Sequence, residues 1–218
     1  MPTQTKENYL KSLYFLDKHK SSITITELSK QMGVSPPTAN NMIKKLKNLG
    51  MVKYERYQPL ELTEQGRKLA ALIIRKHRLA EMFLTEVMGL GWEEVHDIAE
   101  DLEHIQSERF FDRMDEILNY PDIDPHGSPI PDKKGRMTEH DFRPLSEIPA
   151  GKTVRLKALR DSSSEFLEFL NSKGIGLGTE IAILSAEAYD DSIKVRYNDH
   201  ADVMLTNDVS RRLLVEAV

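Results

Sequence analysis

The stretch TELSKQMGVSPPTANNMIKKLKNLG, residues 26–50, contains the pattern that decides the fold of the first part of the chain. Thr26 is placed to cap a short helix, and Gly33 can adopt the left-handed conformation that ends it. Ser35 is the next N-cap, and Pro36 stands at the first position of a second helix, where its missing N–H costs nothing. Two helices joined by a short glycine turn predict a helix-turn-helix.

The residues that follow predict a β-hairpin and then a long helix. Residues 52–57 alternate apolar or aromatic side chains with charged ones, and residues 60–62 resume the alternation after Pro59. This period of two is typical of strands. From Thr63 onward the apolar residues recur with the helical period. The order of these elements predicts a winged helix over residues 1–64.

The charge of the chain is divided unequally. The net charge is −5, but residues 1–58 contain ten Lys and Arg against four Asp and Glu. Residues 59–218 carry 20 basic and 31 acidic side chains. The basic segment can attract phosphate while the rest of the chain stays acidic. This asymmetry is compatible with DNA binding by the first quarter of the chain.

The second helix of a helix-turn-helix enters the major groove, and side chains near its N-terminus reach the base edges. Asn41 can pair with adenine, and Pro37 or Thr38 can contact a thymine methyl group. Arg56 of the hairpin and the nearby lysines are expected to contact phosphates; the lysines are Lys44, Lys45, Lys47 and Lys53. The alternative use of such a domain is protein binding. The predicted DNA-contacting residues are Ser35, Pro36, Pro37, Thr38, Asn40, Asn41, Lys44 and Lys45.

Six downstream residues have the spacing of metal ligands on helices. Two lie at i and i+4 of the long helix, and four lie at i, i+4, i+7 and i+8 of residues 93–110, which predict one helix. Those four share an arc of about 100°. Burying them together is costly unless a cation lies among them. Carboxylate and imidazole ligands in a chain without cysteine suit manganese(II), and also iron(II). The six are His77, Glu81, His96, Glu100, Glu103 and His104.

The C-terminal third of the chain has a different composition. Six prolines between Tyr120 and Pro149 indicate a linker, in which His126 is expected to be structural. Short β-rich runs and one helix after Lys152 predict a small β-barrel. The predicted fold is mainly α with a C-terminal β domain. The expected segments are a DNA-binding domain (1–64), a helical metal-binding and dimerisation domain (65–122), a proline-rich linker (123–148) and the barrel (149–218).

Several motifs resemble the diphtheria toxin repressor family of metal-dependent regulators. They are Arg75–Glu81, Val95-His96-Asp97, Glu103-His104 and Pro125–Pro131. Residues 144–185 are similar to the Src-homology-3-like domain shared with ferrous iron transport protein A. The resemblance covers nearly the whole chain in one order. It implies a winged helix, a helical dimerisation domain and a C-terminal barrel.

The resemblance also implies a function and a set of ligands. A homodimer would bind operator DNA when loaded with manganese(II) or iron(II), and so control metal-uptake genes. One metal position would use His77, Glu81 and His96, and the other Glu100, Glu103 and His104 with Asn8 of the first helix. The iron-sensing branch has a cysteine where this chain has Glu100, whereas the manganese-sensing branch has a carboxylate there.

The chain departs from the family pattern on the first helix. The family usually has Met or Asp where this chain has Asn8, whose amide oxygen can ligate a metal but has no charge. The manganese-sensing branch has a Glu where this chain has Lys11, so that contribution is lost. The barrel supplies ligands in some members, and Glu165 and Glu168 are the candidate equivalents here.

The rival interpretation is a metalloenzyme, because paired carboxylates and histidines also form di-iron and hydrolytic centres. The chain has no His-Glu-x-x-His, and its ligand pairs do not repeat Glu-x-x-His. We therefore expect no enzyme activity and no small-molecule substrate. No run approaches the roughly 20 apolar residues that span a bilayer. The polar N-terminus predicts no signal peptide, so no membrane association and a cytoplasmic location are expected.

Overall fold

The computed structural model describes residues 3–19, 22–55, 58–138, 140–198 and 202–218. Arg56, a predicted phosphate contact, lies outside these ranges. The chain forms two compact units. The first comprises Met1–Ala80, Ile98–Asp122 and Ile130–Thr138, and the second comprises Glu81–Asp97, Ile123–Pro129 and Glu139–Val218. No helix in the described ranges is long and apolar enough to cross a membrane.

The first unit begins with the predicted winged helix. Val52 pairs with Leu62 in an antiparallel hairpin, and Leu60 forms a bridge to Ile23. The buried core of this unit contains Leu10, Leu13, Leu28, Ile43, Leu46 and Ile74. The elements are α1 (Gln4–His19), α2 (Ile25–Gln31), α3 (Pro36–Asn48), β1 (Val52–Lys53), β2 (Glu61–Leu62) and α4 (Glu64–Glu86), the last of which continues into the second unit.

Helix α2 begins earlier than the sequence predicted. Its N-cap is Thr24, not Thr26. The Thr24 hydroxyl accepts a hydrogen bond from the Glu27 amide at 3.2 Å, and the Glu27 carboxylate accepts one from the Thr24 amide at 3.0 Å. This capping box requires a threonine three residues before the glutamate, a spacing that Thr24 has and Thr26 lacks.

The single helix predicted over residues 93–110 is also wrong. Helix α5 (Val95–Leu102) ends before Glu103, and α6 (Glu108–Ile117) begins after Ser107, whose hydroxyl accepts a hydrogen bond from the Phe110 amide at 3.3 Å. Glu103 and His104 therefore lie in a turn rather than on one helix face with His96. Ser107 followed by an acidic residue was a cap signal that could have predicted this break.

The second unit contains the C-terminal β domain. Its six strands form an antiparallel sheet in the order β3-β8-β4-β5-β6-β7. Leu156, Leu167, Ile181, Val195 and Leu213 are buried in its core. The elements are β3 (Arg143–Pro144), a 3-10 turn (Leu145–Glu147), β4 (Thr153–Leu159), α7 (Ser164–Ser172), β5 (Glu180–Ala186), β6 (Ile193–Tyr197), β7 (Val203–Leu205), α8 (Asn207–Ser210) and β8 (Leu213–Ala217).

Candidate metal centres and DNA-reading surface

The N-terminal half of α3 presents the predicted DNA-contacting side chains. Ser35 caps the helix, since its hydroxyl accepts a hydrogen bond from the Thr38 amide at 3.3 Å. Asn40 is half-buried, and its carbonyl oxygen accepts a hydrogen bond from the Tyr54 hydroxyl at 2.7 Å, so that oxygen is less free to contact a base. The exposed members of the set, the reading surface below, are Ser35, Pro36, Pro37, Thr38, Asn41, Lys44 and Lys45.

The first unit brings two predicted ligands, Glu100 and Glu103, into contact with a lysine. The Lys11 ammonium lies 2.5 Å from Glu100 Oε1 and 2.8 Å from each Glu103 oxygen. Glu103 is fully buried, and its Oε2 lies 2.7 Å from His77 Nδ1. The Lys11 ammonium supplies one positive charge to these two carboxylates and lies against the oxygens that a dication would need. His77, Glu100 and Glu103 each offer a ligand atom within 4.8 Å of the other two, but with the Lys11 ammonium beside both carboxylates they do not fit a metal ion.

The other two predicted ligands of that site are His104 and Asn8. His104 contacts a different carboxylate, and no hydrogen bond of the Asn8 side-chain oxygen with the other ligands is found in the described ranges. His104 Nδ1 lies 2.5 Å from a carboxylate oxygen of Glu7, a buried residue of α1, and Gln106 donates to the other oxygen at 3.2 Å. Asn8 has a buried side-chain oxygen with no hydrogen-bond partner in the described ranges. The first-helix residue that contacts His104 is thus Glu7, one position before Asn8. The sequence analysis did not single out Glu7, whose only local signal is an acid in the first turn of α1.

The second unit assembles a buried group of ligands around Glu81. Glu81 Oε1 lies 3.5 Å from His96 Nδ1, and Glu81 Oε2 lies 3.8 Å from His126 Nδ1. Glu81, Asp124 and His126 are all buried, and each offers a ligand atom within 4.8 Å of the other two. His77 precedes Glu81 by one turn of α4. The predicted ligands Glu81 and His96 are thus brought together, with Asp124 and His126 added.

His126 is oriented as a metal ligand would be. Its Nε2 lies 2.9 Å from the Trp92 carbonyl oxygen, and the imidazole stacks on the Trp92 ring. A carbonyl accepts only, so Nε2 carries a proton, and in the neutral ring Nδ1 is an acceptor facing the Glu81 carboxylate. Two acceptors in a buried space require a cation or a proton between them. These residues therefore fit a dication.

The backbone of residues 124–128 holds His126 in place. Asp124 Oδ1 accepts hydrogen bonds from the His126 and Ser128 amides, both at 2.9 Å. Gly127 has a φ of +83°, and a Cβ there would lie 2.1 Å from the Lys157 carbonyl oxygen. These contacts are compatible with the structural role expected for His126, and its place beside Glu81 also makes it a candidate ligand that the sequence did not single out. The sequence signal that could have indicated this ligand is Asp124 and His126, two residues apart, next to Gly127, whose conformation requires glycine.

Two further candidate ligands lie on α7 of the second unit. Glu165 and Glu168 are exposed on α7. Neither belongs to a group of at least three potential ligand residues within the described ranges. Their role as additional metal ligands stays a prediction.

The balance between burial and the neighbouring carboxylates sets the charge state of His126. Burial lowers the pKa of His126, but the hydrogen bond and charge of Glu81, with a further contribution from Asp124, raise it more. The pKa therefore lies above the ordinary value near 6.5. Without a metal ion, a proton shared with Glu81 provides part of the positive charge that the buried carboxylates need.

Sequence profiles of three known domains match the chain in one order. The profile "Iron dependent repressor, N-terminal DNA binding domain" matches residues 1–60. The profile "Iron dependent repressor, metal binding and dimerisation domain" matches residues 63–132, and "FeoA domain" matches residues 143–217. The last of these corresponds to the antiparallel sheet of the second unit.

Relatives and solved structures are similar over almost the full length. The diphtheria toxin repressor of Corynebacterium efficiens is 30% identical over 98% of this chain and 96% of its own, and the iron-dependent repressor IdeR of Mycobacterium bovis is 29% identical over 98% and 97%. The structure of a manganese-dependent transcriptional repressor in complex with manganese has a TM-score of 0.87 at 31% identity, covering 98% of this chain and 100% of that one. ScaR with bound Zn²⁺ has a TM-score of 0.81 at 32% identity, covering 100% of both.

The fold, the domain matches and the relatives together define a class, the metal-dependent transcriptional repressors with a DNA-binding and a metal-binding domain. Within it, this chain belongs to the diphtheria toxin repressor family. Because the relatives are transcriptional repressors, the metalloenzyme alternative is not retained.

Proposed function

We propose that this chain is a manganese(II)-responsive repressor, with iron(II) as the second candidate cation. It binds operator DNA as a homodimer in the cytoplasm and controls metal-uptake genes. The observation that carries the proposal is the buried group of Glu81, Asp124 and His126, with His96 beside it, in a chain that also presents a basic reading surface.

The ligand chemistry supports manganese or iron. Glu81, Asp124, His96 and His126 offer oxygen and imidazole nitrogen, and the chain has no cysteine to select a softer ion. Zinc and copper bind such ligands more tightly in a simple comparison of affinities. Discrimination must therefore depend on the coordination number and on which geometry closes the site.

Metal affects DNA binding in this proposal by shifting a population. A bound dication supplies positive charge that offsets the buried carboxylates. The loaded dimer then favours the arrangement in which two reading surfaces meet successive major grooves, about 34 Å apart or a multiple of it. Without metal, only a small fraction of molecules is competent to bind, which lowers the apparent affinity for DNA.

The test is operator binding. Operator sequences are selected from a random duplex pool with the manganese-loaded protein, and their affinity is then measured anaerobically with manganese(II), iron(II), zinc(II) or chelator. We expect tight binding with manganese and a loss of at least tenfold with chelator. Equal affinity under both conditions would contradict the proposal.

Asn41 is proposed to read a base, whereas Lys44 is proposed to meet a phosphate. Asn41→Ala should reduce discrimination between operator and unrelated DNA by about 1–3 kcal/mol. Lys44→Ala, the control on the same helix, should weaken both alike and lower the slope of log affinity against log salt by about 1. Titrations of both duplexes at several salt concentrations measure this. If Asn41→Ala weakened both equally, the reading surface would be misplaced.

The dimer contact is proposed to lie on α5 and α6. Ile98, Phe110 and Ile117 leave 41%, 37% and 48% of their surface exposed, which is high for large apolar side chains of two short neighbouring helices. Ile117→Asp should convert the dimer to a monomer in analytical ultracentrifugation, because a charge in the apolar centre of an interface is costly. Tyr189→Asp, on a fully exposed side chain of the second unit, should remain dimeric.

The raised pKa of His126 predicts a pH dependence. Metal needs the neutral imidazole, so uptake releases the proton, and manganese affinity should fall up to about tenfold per pH unit as pH decreases through that pKa. In the metal-free protein the sign is opposite. The protonated His126–Glu81 pair contributes stability that is fully present below the ordinary pKa near 6.5 and is lost as pH rises through the raised pKa. Calorimetric titrations between about pH 6 and pH 8 measure both, and a pH-independent affinity would exclude this proton.

A further inference from the structure

The contacts of Lys11 distinguish this chain from the metal-binding pattern that its family resemblance implies. Its ammonium has three donors, and the three carboxylate oxygens within 2.8 Å satisfy all of them. The Lys11 side chain is 12% exposed, and that of Glu103 is 0% exposed. The Lys11 ammonium therefore lies at the position where the resemblance implies a metal ion.

The same oxygens cannot serve a dication and this ammonium at once. A divalent cation lies about 2.0–2.6 Å from carboxylate oxygens. The ammonium is already 2.5 Å from Glu100 and 2.8 Å from Glu103, so both cations would need the same space and would repel each other. Glu103 Oε2 also lies 2.7 Å from His77 Nδ1.

His104, another ligand expected at this position, contacts Glu7 of α1 instead. His104 Nδ1 lies 2.5 Å from Glu7, whereas His104 Nε2 is 3.8 Å from Glu103 Oε1. Both Glu7 and Lys11 belong to α1, and they lie one turn apart. Two side chains of α1 therefore occupy the groups that the resemblance assigns to a second metal ion.

We propose that the Lys11 ammonium permanently replaces a dication at Glu100 and Glu103, so that each subunit takes up one metal ion instead of two. The single metal position is formed by Glu81, Asp124 and His126 of the second unit, called the Glu81 group here. In this respect the inference rests on the proposed function. Lys11 thereby also attaches α1 to Glu100 and Glu103 whether or not metal is bound. Metal responsiveness of this chain then belongs to the Glu81 group alone.

The test counts metal ions in the full-length protein. Wild type, Lys11→Glu and Lys6→Glu are stripped with chelator, equilibrated with manganese(II), and analysed by elemental analysis and calorimetry. We expect one ion per chain for wild type and two for Lys11→Glu, in which an added carboxylate replaces the blocking ammonium. Lys6→Glu makes the same charge change on the same helix, away from these contacts, and should bind one.

The outcomes separate the two proposals. Equal, non-zero counts for wild type and Lys11→Glu would overturn the role of Lys11 and leave the Glu81 group standing. A wild type without metal and a Lys11→Glu variant with one ion would refute the Glu81 group and retain Lys11. Absence of metal from both would overturn both.

A second variant covers the case in which Lys11→Glu does not fold. Lys11→Gln removes the ammonium charge from the buried Glu103 and its neighbour Glu100. We expect this variant to melt at a lower temperature than wild type in chelator, and to gain more from manganese than wild type does. A melting temperature equal to that of wild type in both conditions would contradict the proposal.

Discussion

Glu81→Gln is expected to lower manganese affinity by more than about 100-fold and to reduce operator affinity with manganese to the value measured with chelator. The change preserves the shape of the side chain but removes the charge that faces both His96 and His126 in the second unit. An uncharged amide binds a dication more weakly, and it can donate a hydrogen bond to His126 Nδ1, which would occupy the ligand atom. Calorimetry with manganese and operator binding with and without metal measure the two losses.

The control for this variant lies on the same helix. Glu86→Gln makes the same change at the exposed end of α4 and should leave both affinities within about twofold of wild type. Retention of manganese-dependent operator binding by Glu81→Gln would show that the metal acts through other residues. If both variants lost manganese and operator binding, the loss would be attributed to the reduced negative charge of α4 and not to the removal of a metal ligand.

Asp115→Ala is expected to destabilise the protein by about 3–5 kcal/mol. Asp115 is a buried residue of α6 and forms an ion pair with Arg75 of α4, whose guanidinium also donates to the Pro131 carbonyl oxygen at 2.7 Å. Removing the carboxylate leaves the mostly buried Arg75 charge without this partner, which is costlier than losing a hydrogen bond between exposed groups. Urea denaturation followed by circular dichroism measures the change in the free energy of unfolding.

Asp112→Ala is the matched control, since it removes an exposed ion pair from the same helix. Asp112 and Lys133 are 51% and 59% exposed, and exposed pairs of this kind contribute little to stability. The difference between the two variants isolates the effect of burial. If Asp115→Ala cost no more than Asp112→Ala, the Arg75 contact would be unimportant for folding.

Local signals in the sequence predicted most helices and the longer strands, because each depends on residues close together in the chain. Ser35 followed by Pro36 marked the start of α3 correctly, and Ser35 accepts the expected cap hydrogen bond. One error arose where two local signals competed. Thr24 and Thr26 both resemble caps, and only the reciprocal bond with Glu27 distinguishes them.

The candidate site was less predictable because it depends on contacts between distant segments. Glu81 and His96 were found from their spacing, but Asp124 reaches Glu81 only through the fold of residues 123–129 in the second unit. The contact of Lys11 with Glu100 joins residues 89 positions apart. A one-dimensional pattern indicates the type of ligand, whereas the identity of the cation beside each carboxylate requires the packed structure.

The most direct test of the central claim is anomalous scattering from crystals grown with manganese(II), with data recorded above and below the manganese absorption edge. The structure predicts one strong peak per subunit, among Glu81, Asp124 and His126, with the Lys11 ammonium retained between Glu100 and Glu103. Ordered side chains of Glu81, Asp124 and His126 with no peak among them would contradict the account.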